Sequence, residues 1–229
     1  MARPRTPLLS RERIRDVALR LIDDEGLAAV TMRRLAEELG VQASSLYSHF
    51  PTKDAVLDAV ANALIAEVDT SGFRHGWQQG LRTWAHSYHA VLTAHPGAVP
   101  VIAAGTGNRE QFLAMANAVH GGLVGAGWPA RRATEISGAV KYLVIGAAST
   151  PFASGFADDV QVYLDRYPHL HQAHRLRADA ERIDRDSFTL GLESLIAGLG
   201  AGPVPEPQVP QPEVPEPQVP EPQPRTNVT

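Results

Sequence analysis

Cysteine is absent from all 229 residues, which excludes disulfide staples, thiol nucleophiles and thiolate metal ligands together. Long apolar runs are missing as well, and no stretch approaches the ~20 residues needed to cross a bilayer. The segment Met1–Ser10 holds arginines and prolines but no apolar core, so a signal peptide is not expected there. Nor is there a Gly-x-Ser-x-Gly elbow, a glycine-rich phosphate loop or a His-Glu-x-x-His pair. These absences predict a soluble cytoplasmic protein that is not an enzyme, has no membrane partner and needs no cofactor.

Charge is present but unevenly placed. Lysine is nearly missing, with Lys53 and Lys141 against nineteen arginines. Between Met1 and Arg20 there are six arginines and two acids, whereas Pro203–Thr229 holds four glutamates and one arginine. The net charge of −4 therefore hides a basic amino-terminal arm. Such local clustering sets the field at a binding face, so a near-neutral total does not argue against nucleic acid.

Three regions separate along the chain: 1–67, dense in short helical signals; 68–200, longer and rich in alanine; and 201–229, a proline-rich tail. The tail repeats Pro-Glu-Pro-Gln-Val-Pro at Pro205–Pro210 and Pro215–Pro220. With few backbone donors and little apolar surface it is expected to be disordered and extended. No stretch reads as a strand. Ile14, Val17, Ala18, Leu21 and Ile22 recur at helical spacing between a Ser10 cap and a Gly26 stop. A second helix runs from Thr31, whose hydroxyl can cap it, to Leu39 before Gly40. A third covers Ala43–His49, and Thr52 caps a fourth over Lys53–Glu67. Further helices fit Trp77–Ala94, Pro96–Gly105, Arg109–Gly125, Pro129–Ala148 and Arg182–Leu199, with a short one near Asp158–Tyr167. The chain reads as all-α.

The informative stretch is Met32–Phe50. Leu35, Leu39, Val41 and Leu46 supply apolar contacts between two helices, Ala36 is small where they cross, and Gly40 stands at the turn. That spacing fits a helix-turn-helix, whose second helix enters the major groove while the first crosses the backbone. The second helix presents Ala43, Ser44, Ser45, Tyr47, Ser48 and His49, small or hydrogen-bonding as a groove requires, while Leu46 and Phe50 belong to the core.

Gly26-Leu27, Thr31-Met32-Arg33-Arg34-Leu35-Ala36, Gly40-Val41, Leu46-Tyr47-Ser48-His49-Phe50 and Lys53-Asp54-Ala55-Val56-Leu57 together resemble the amino-terminal signature of the TetR family of bacterial transcriptional regulators. The resemblance implies an amino-terminal three-helix DNA-binding domain followed by a helical domain that binds an effector and dimerises. It implies that Tyr47, His49 and Lys53 contact phosphates and that Thr31 meets the DNA backbone. Arg33 is placed to reach a guanine edge or a phosphate. Gln42, Ala43, Ser44 and Ser45 fall where relatives read bases. Many relatives have serine or threonine at the Gln42 position, so Gln42 either caps its helix weakly or contacts an adenine. Arg3 and Arg5, ahead of the first helix, read either as a minor-groove arm or as a solvated terminus.

The second region supplies two apolar stripes. Ile136, Ala139, Val140, Leu143, Val144 and Ala147 form one, and Phe188, Gly191, Leu192, Leu195, Ile196 and Leu199 the other; two such helices per subunit fit a four-helix dimer interface. Pocket candidates are Trp84, Tyr88, His89, Phe112, Met115, Ala116, Val119, Tyr142 and Ile145, each also readable as simple core. The shortage of charge near them points to an apolar or aromatic effector. His86, His89 and His95, and His169, His171 and His174, raise a metal question but read as an exposed face and a loop, so no metal is expected.

These readings predict a homodimeric, ligand-responsive regulator, a repressor by preference, released from a palindromic double-stranded DNA operator by an unknown small molecule. Its levers are the first and fourth helices. The alternatives are a DNA-binding protein without an effector and a metal- or ligand-binding protein with a vestigial helix-turn-helix.

Overall fold

The computed structural model describes residues 9–104, 109–150, 152–164, 167–170 and 172–200. Arg3 and Arg5, His171 and the proline-rich tail lie outside the described residues. Within them the chain forms α1 (Arg11–Glu25), α2 (Met32–Leu39), α3 (Ala43–Tyr47), α4 (Lys53–Ala66), α5 (Trp77–Ala94), α6 (Val99–Ala103), α7 (Glu110–Gly125), α8 (Ala130–Ser149) and α9 (Ala180–Gly198), joined by short 3-10 turns, and no strand. The all-α expectation holds.

Local chemistry fixes the first four helices. Ser10 Oγ accepts from the Arg13 amide at 3.2 Å, Thr31 Oγ1 from the Arg34 amide at 3.0 Å and Thr52 Oγ1 from the Ala55 amide at 3.1 Å. Each satisfies a backbone donor that has no partner within its helix. Gly40 ends α2 in the left-handed region at φ 67°, a conformation that costs any other residue a Cβ clash. Its amide donates to Glu37 O and the Val41 amide to Ala36 O, so the chain reverses tightly into α3.

The buried faces then meet. Ile14, Val17, Ala18 and Leu21 of α1 pack with Leu35 and Leu39 of α2, Leu46 of α3, Phe50 of the turn after it and Val56 of α4. α5 is the spine of the second region and packs against α7, α8 and α9. Its Leu81, Trp84, Ala85, Tyr88 and Leu92 are buried with Val119 and Leu123 of α7, Val140 and Val144 of α8, and Phe188 and Leu192 of α9. Trp77 meets Trp128 edge-on at 5.4 Å. Arg82 of α5 grips Glu193 of α9 through two bonds of 2.8 and 2.7 Å, pinning the outer helix to the spine. α4 touches both regions, packing on α1 and on α7.

Four elements differ from expectation, among them α3, which ends at Tyr47 two residues before the expected His49. The helix expected over Pro96–Gly105 is a 3-10 turn, Pro96–Ala98, followed by α6, which ends at Ala103. At Gly97 the backbone approaches α1 so closely that a Cβ there would lie 2.7 Å from Ile22 O. Of the helix expected near Asp158–Tyr167, the described residues form a 3-10 turn, Val160–Val162, where the Asp159 carboxylate takes the Gln161 amide, and residues 165–166 lie outside the described ones. α9 begins at Ala180, two residues before the expected Arg182.

Candidate nucleic-acid interface

α3 has five residues, too short to hold itself, so its placement comes from outside. Leu46 and Phe50 are fully buried and anchor it from below. Arg11, at the first position of α1, holds its far end: the guanidinium lies 4.0 Å over the Phe50 ring and donates to the His49 carbonyl. The Ser48 hydroxyl donates to Ser45 O at 2.8 Å, closing the last turn on itself. Arg34 ties α2 to the end of α1, at 2.7 Å from Glu25 and 2.8 Å from Glu38.

This bracing leaves one face free. Gln42, Ser44, Ser45 and Tyr47 are exposed, Tyr47 at 53 %, while Ala43 is half-buried against the core and His49 is half-buried. Gln42 makes no side-chain cap bond to α3, so its amide remains available. Thr31 is exposed but its hydroxyl already serves α2. Arg33 projects into solvent with only a loose contact of 3.4 Å to Glu37, a pair too exposed to hold it. Lys53 opens α4 immediately after the Pro51–Thr52 turn. An exposed amide, hydroxyls and a phenol on a braced short helix, with Arg33 on the helix before it and Lys53 on the helix after it, can donate to phosphates and to base edges. Sequence reasoning missed Arg11 as the brace. Its contact with Phe50 spans 39 positions and leaves no periodic trace.

The unit is joined to the second region at two places. Arg109 donates to Asp58 Oδ1 at 2.9 and 2.7 Å and to Val101 O at 2.9 Å, while Asn62 Oδ1 accepts the Gln111 amide at 2.8 Å. His95 Nδ1 lies 2.9 Å from Asp23 Oδ2, beside the Gly97–Ile22 approach. These joints reach α4 and α1, the two helices named as levers.

The residues named for an effector pocket are only partly brought together. Trp84, Tyr88, Met115 and Val119 are buried, and Trp84 stacks on Tyr88 at 6.4 Å. His89, Phe112, Ala116 and Ile145 are half-buried, with Lys141 Nζ 4.6 Å over the Phe112 ring. Tyr142 departs from the set: at 78 % exposure it faces outward, because two residues from Val140 is about 200° round a helix. Trp84 Nε1, Tyr88 Oη and Trp128 Nε1 are buried with no hydrogen-bond partner among the described residues.

The two stripes expected at a dimer interface are in part packed within the chain. Ile136, Val140, Val144, Phe188, Leu192 and Ile196 are buried within the single chain. Leu143, Ala147, Gly191, Leu195 and Leu199 are half-buried, and Gly191 closes on Leu143. Of the twelve only Ala139 is exposed. The faces that α8 and α9 leave outside carry Tyr142 and Leu190, the latter 70 % exposed. His86 and His89 serve an aromatic cluster: His89 stacks on Phe188 at 4.2 Å and His86 meets it edge-on at 5.4 Å. No group of three metal-ligating side chains is arranged for an ion among the described residues. Among them, too, no helix is long and apolar enough to cross a membrane.

Two family models match the chain: "Bacterial regulatory proteins, tetR family" over residues 14–60 and "Tetracyclin repressor-like, C-terminal domain" over residues 73–202. The class C tetracycline repressor protein of Escherichia coli is 36 % identical over 149 residues, 64 % of this chain and 68 % of that protein. An HTH-type transcriptional regulator of Saccharopolyspora erythraea is 29 % identical over 208 residues, 85 % of this chain and 86 % of that one. Among solved structures, the Streptomyces coelicolor TetR family protein ActR in complex with actinorhodin superposes with a TM-score of 0.68 at 27 % identity, covering 84 % of this chain and 96 % of that chain.

Proposed function

The chain belongs to the TetR family of transcriptional regulators, and on that premise we propose that it is a homodimeric repressor of a palindromic operator, released when a small molecule enters its second region. Residues 1–67 are the DNA-binding part, 68–200 the effector-binding and dimerising part, and 201–229 an appendage. The observation that carries this reading is the braced α3, which leaves Gln42, Ser44, Ser45 and Tyr47 exposed between helices that carry Arg33 and Lys53. Tyr47, His49 and Lys53, with Thr31, would set the register on the phosphates, and Gln42 to Ser45 would read bases.

One short recognition helix makes too few contacts for a specific site, so a two-fold pair spanning half-sites about one helical turn apart or more is required. The outward faces of α8 and α9 with Ala139, Tyr142 and Leu190 are the surface we assign to that pairing. The complex of ActR with actinorhodin and the tetracycline repressors among the relatives support an aromatic effector for this chain as well.

The test is a footprint and titration of the protein on the DNA flanking its own gene at two salt concentrations. A protected palindrome is expected, weakened at the higher salt because phosphate contacts release counterions. Tyr47→Ala with Lys53→Ala should abolish it. Protection that persists in the double variant would overturn the assignment of α3 as reader.

A further inference from the structure

A cavity of about 710 Å³ opens between α5, α8 and the first two turns of α9, a volume suited to a small organic ligand. Its wall is apolar, with Ala90, Ala147, Ala148 and Pro96, and its polar groups are few and identifiable. His86 and His89 enter from α5, both fixed on the Phe188 ring and both without a hydrogen-bond partner among the described residues. Arg185 enters from α9 with no carboxylate paired to it there. Asp184 is already committed, its Oδ1 accepting the Phe152 and Ala153 amides at 3.1 and 3.0 Å. Three nitrogen groups thus face two carboxylates, that of Glu181 and that of Asp184 with one oxygen held by the two amides, and Arg185 is the cation left for a ligand.

We propose that this cavity, rather than the packed cluster around Trp84 and Met115, is the effector site, and that it takes a flat aromatic acid. The assignment rests on the ligand-responsive reading given above. The ring system lies along the alanine wall beside the His89–Phe188 stack, and the acidic group is read by Arg185 and the two imidazoles. Burial, with His86 beside it, holds His89 below the usual imidazole range, so a bound anion raises it. The cavity also has an outlet to the DNA-binding unit. Its wall residue Pro96 lies between His95, paired with Asp23 of α1, and Gly97, where an added Cβ would come within 2.7 Å of Ile22 O. A ligand pressing on Pro96 therefore bears on α1 through the turn that packs against it and the His95–Asp23 pair.

The full-length protein is titrated with anthraquinone carboxylate, following tryptophan fluorescence and the histidine ring signals by NMR. Expected are saturable binding, a rise in the pH at which His89 titrates, and at least tenfold weaker binding in Arg185→Gln. The uncharged anthraquinone should not distinguish that variant from wild type. Ala148→Trp, which fills the cavity from the far wall, should abolish binding of both, and circular dichroism checks that each variant is folded. Equal binding by all three proteins overturns the site, and preference for a naphthylamine over the acid overturns the ligand class. In the presence of the acid, operator affinity should fall at least tenfold. Binding as expected with operator affinity unchanged overturns the outlet through Pro96 alone. Failure of a broad compound screen to release the operator would instead sink the ligand-responsive reading itself.

Discussion

Tyr88 shows how much one atom can carry. Its ring is fully buried on α5 against Trp84, yet its hydroxyl has no hydrogen-bond partner among the described residues. Burial pushes the phenol up to about 12, opposed only weakly by the Arg109 charge. Two consequences follow for Tyr88→Phe. At neutral pH the variant sheds an unsatisfied polar group and keeps the ring, so stability should rise by about 1–2 kcal/mol. In alkali the sign comes from linkage. The folded phenol keeps its proton while the unfolded one, near the ordinary value of about 10, loses it. Wild-type stability should therefore be unaffected by this group below about pH 10 and fall between about 10 and 12, by roughly 2–3 kcal/mol in total. Urea unfolding across that range checks both; a wild-type curve no steeper in alkali than the variant's would refute the assignment.

Helix ends decide the element scale. Ser10, Thr31 and Thr52 each cap a helix, and only α3 in the first four begins without a side-chain cap. Gln42 at that position is exposed and uncommitted. Gln42→Ser should supply the missing acceptor and stabilise the unit by about 0.5–1 kcal/mol in thermal melts. It should also lose discrimination at one base pair per half-site, by about tenfold or more, because a serine cannot form the bidentate pair that an amide forms with adenine. A stabler variant with unchanged base preference would leave Gln42 a failed cap and nothing more. Caps and the Gly40 turn were legible in the sequence because they act over three or four residues. The helix-turn-helix face was legible for the same reason. The fate of the stripes on α8 and α9 was not: a periodicity says that a face is buried, not whether the cover is the same chain or its copy. Arg11 over Phe50 and the cavity over Pro96 arise from long-range packing, which no local pattern encodes.

At the scale of the molecule, one buried core runs from α1 through α4 to α9, so the two regions do not move independently. A few polar joints add to that packing. Arg109 is the strongest, with its side chain 10 % exposed and three bonds reaching Asp58 of α4 and the Val101 carbonyl of α6. Asp58 itself is half exposed, which discounts the ion pair through solvent screening. Losing Arg109 also strips the Val101 carbonyl of its guanidinium donor, so Arg109→Met should cost about 1–2 kcal/mol. Asp58→Asn alone should cost less, since the amide oxygen still accepts. The sharper expectation concerns cooperativity. If Arg109 transmits position as well as stability, its loss should broaden the calorimetric transition or split it in two, with α1–α4 melting apart from the rest. A double-mutant cycle over Asp58 and Arg109 measures the coupling free of either residue's separate roles. Operator affinity should change in Arg109→Met although no residue of the α3 face has been touched, because α4 carries Lys53 at one end and Asp58 one turn on. A variant that is destabilised but still melts in one sharp transition and binds the operator as before would mean that this joint only holds the halves together. The signal would then have to pass through the Asp23–His95 contact at α1.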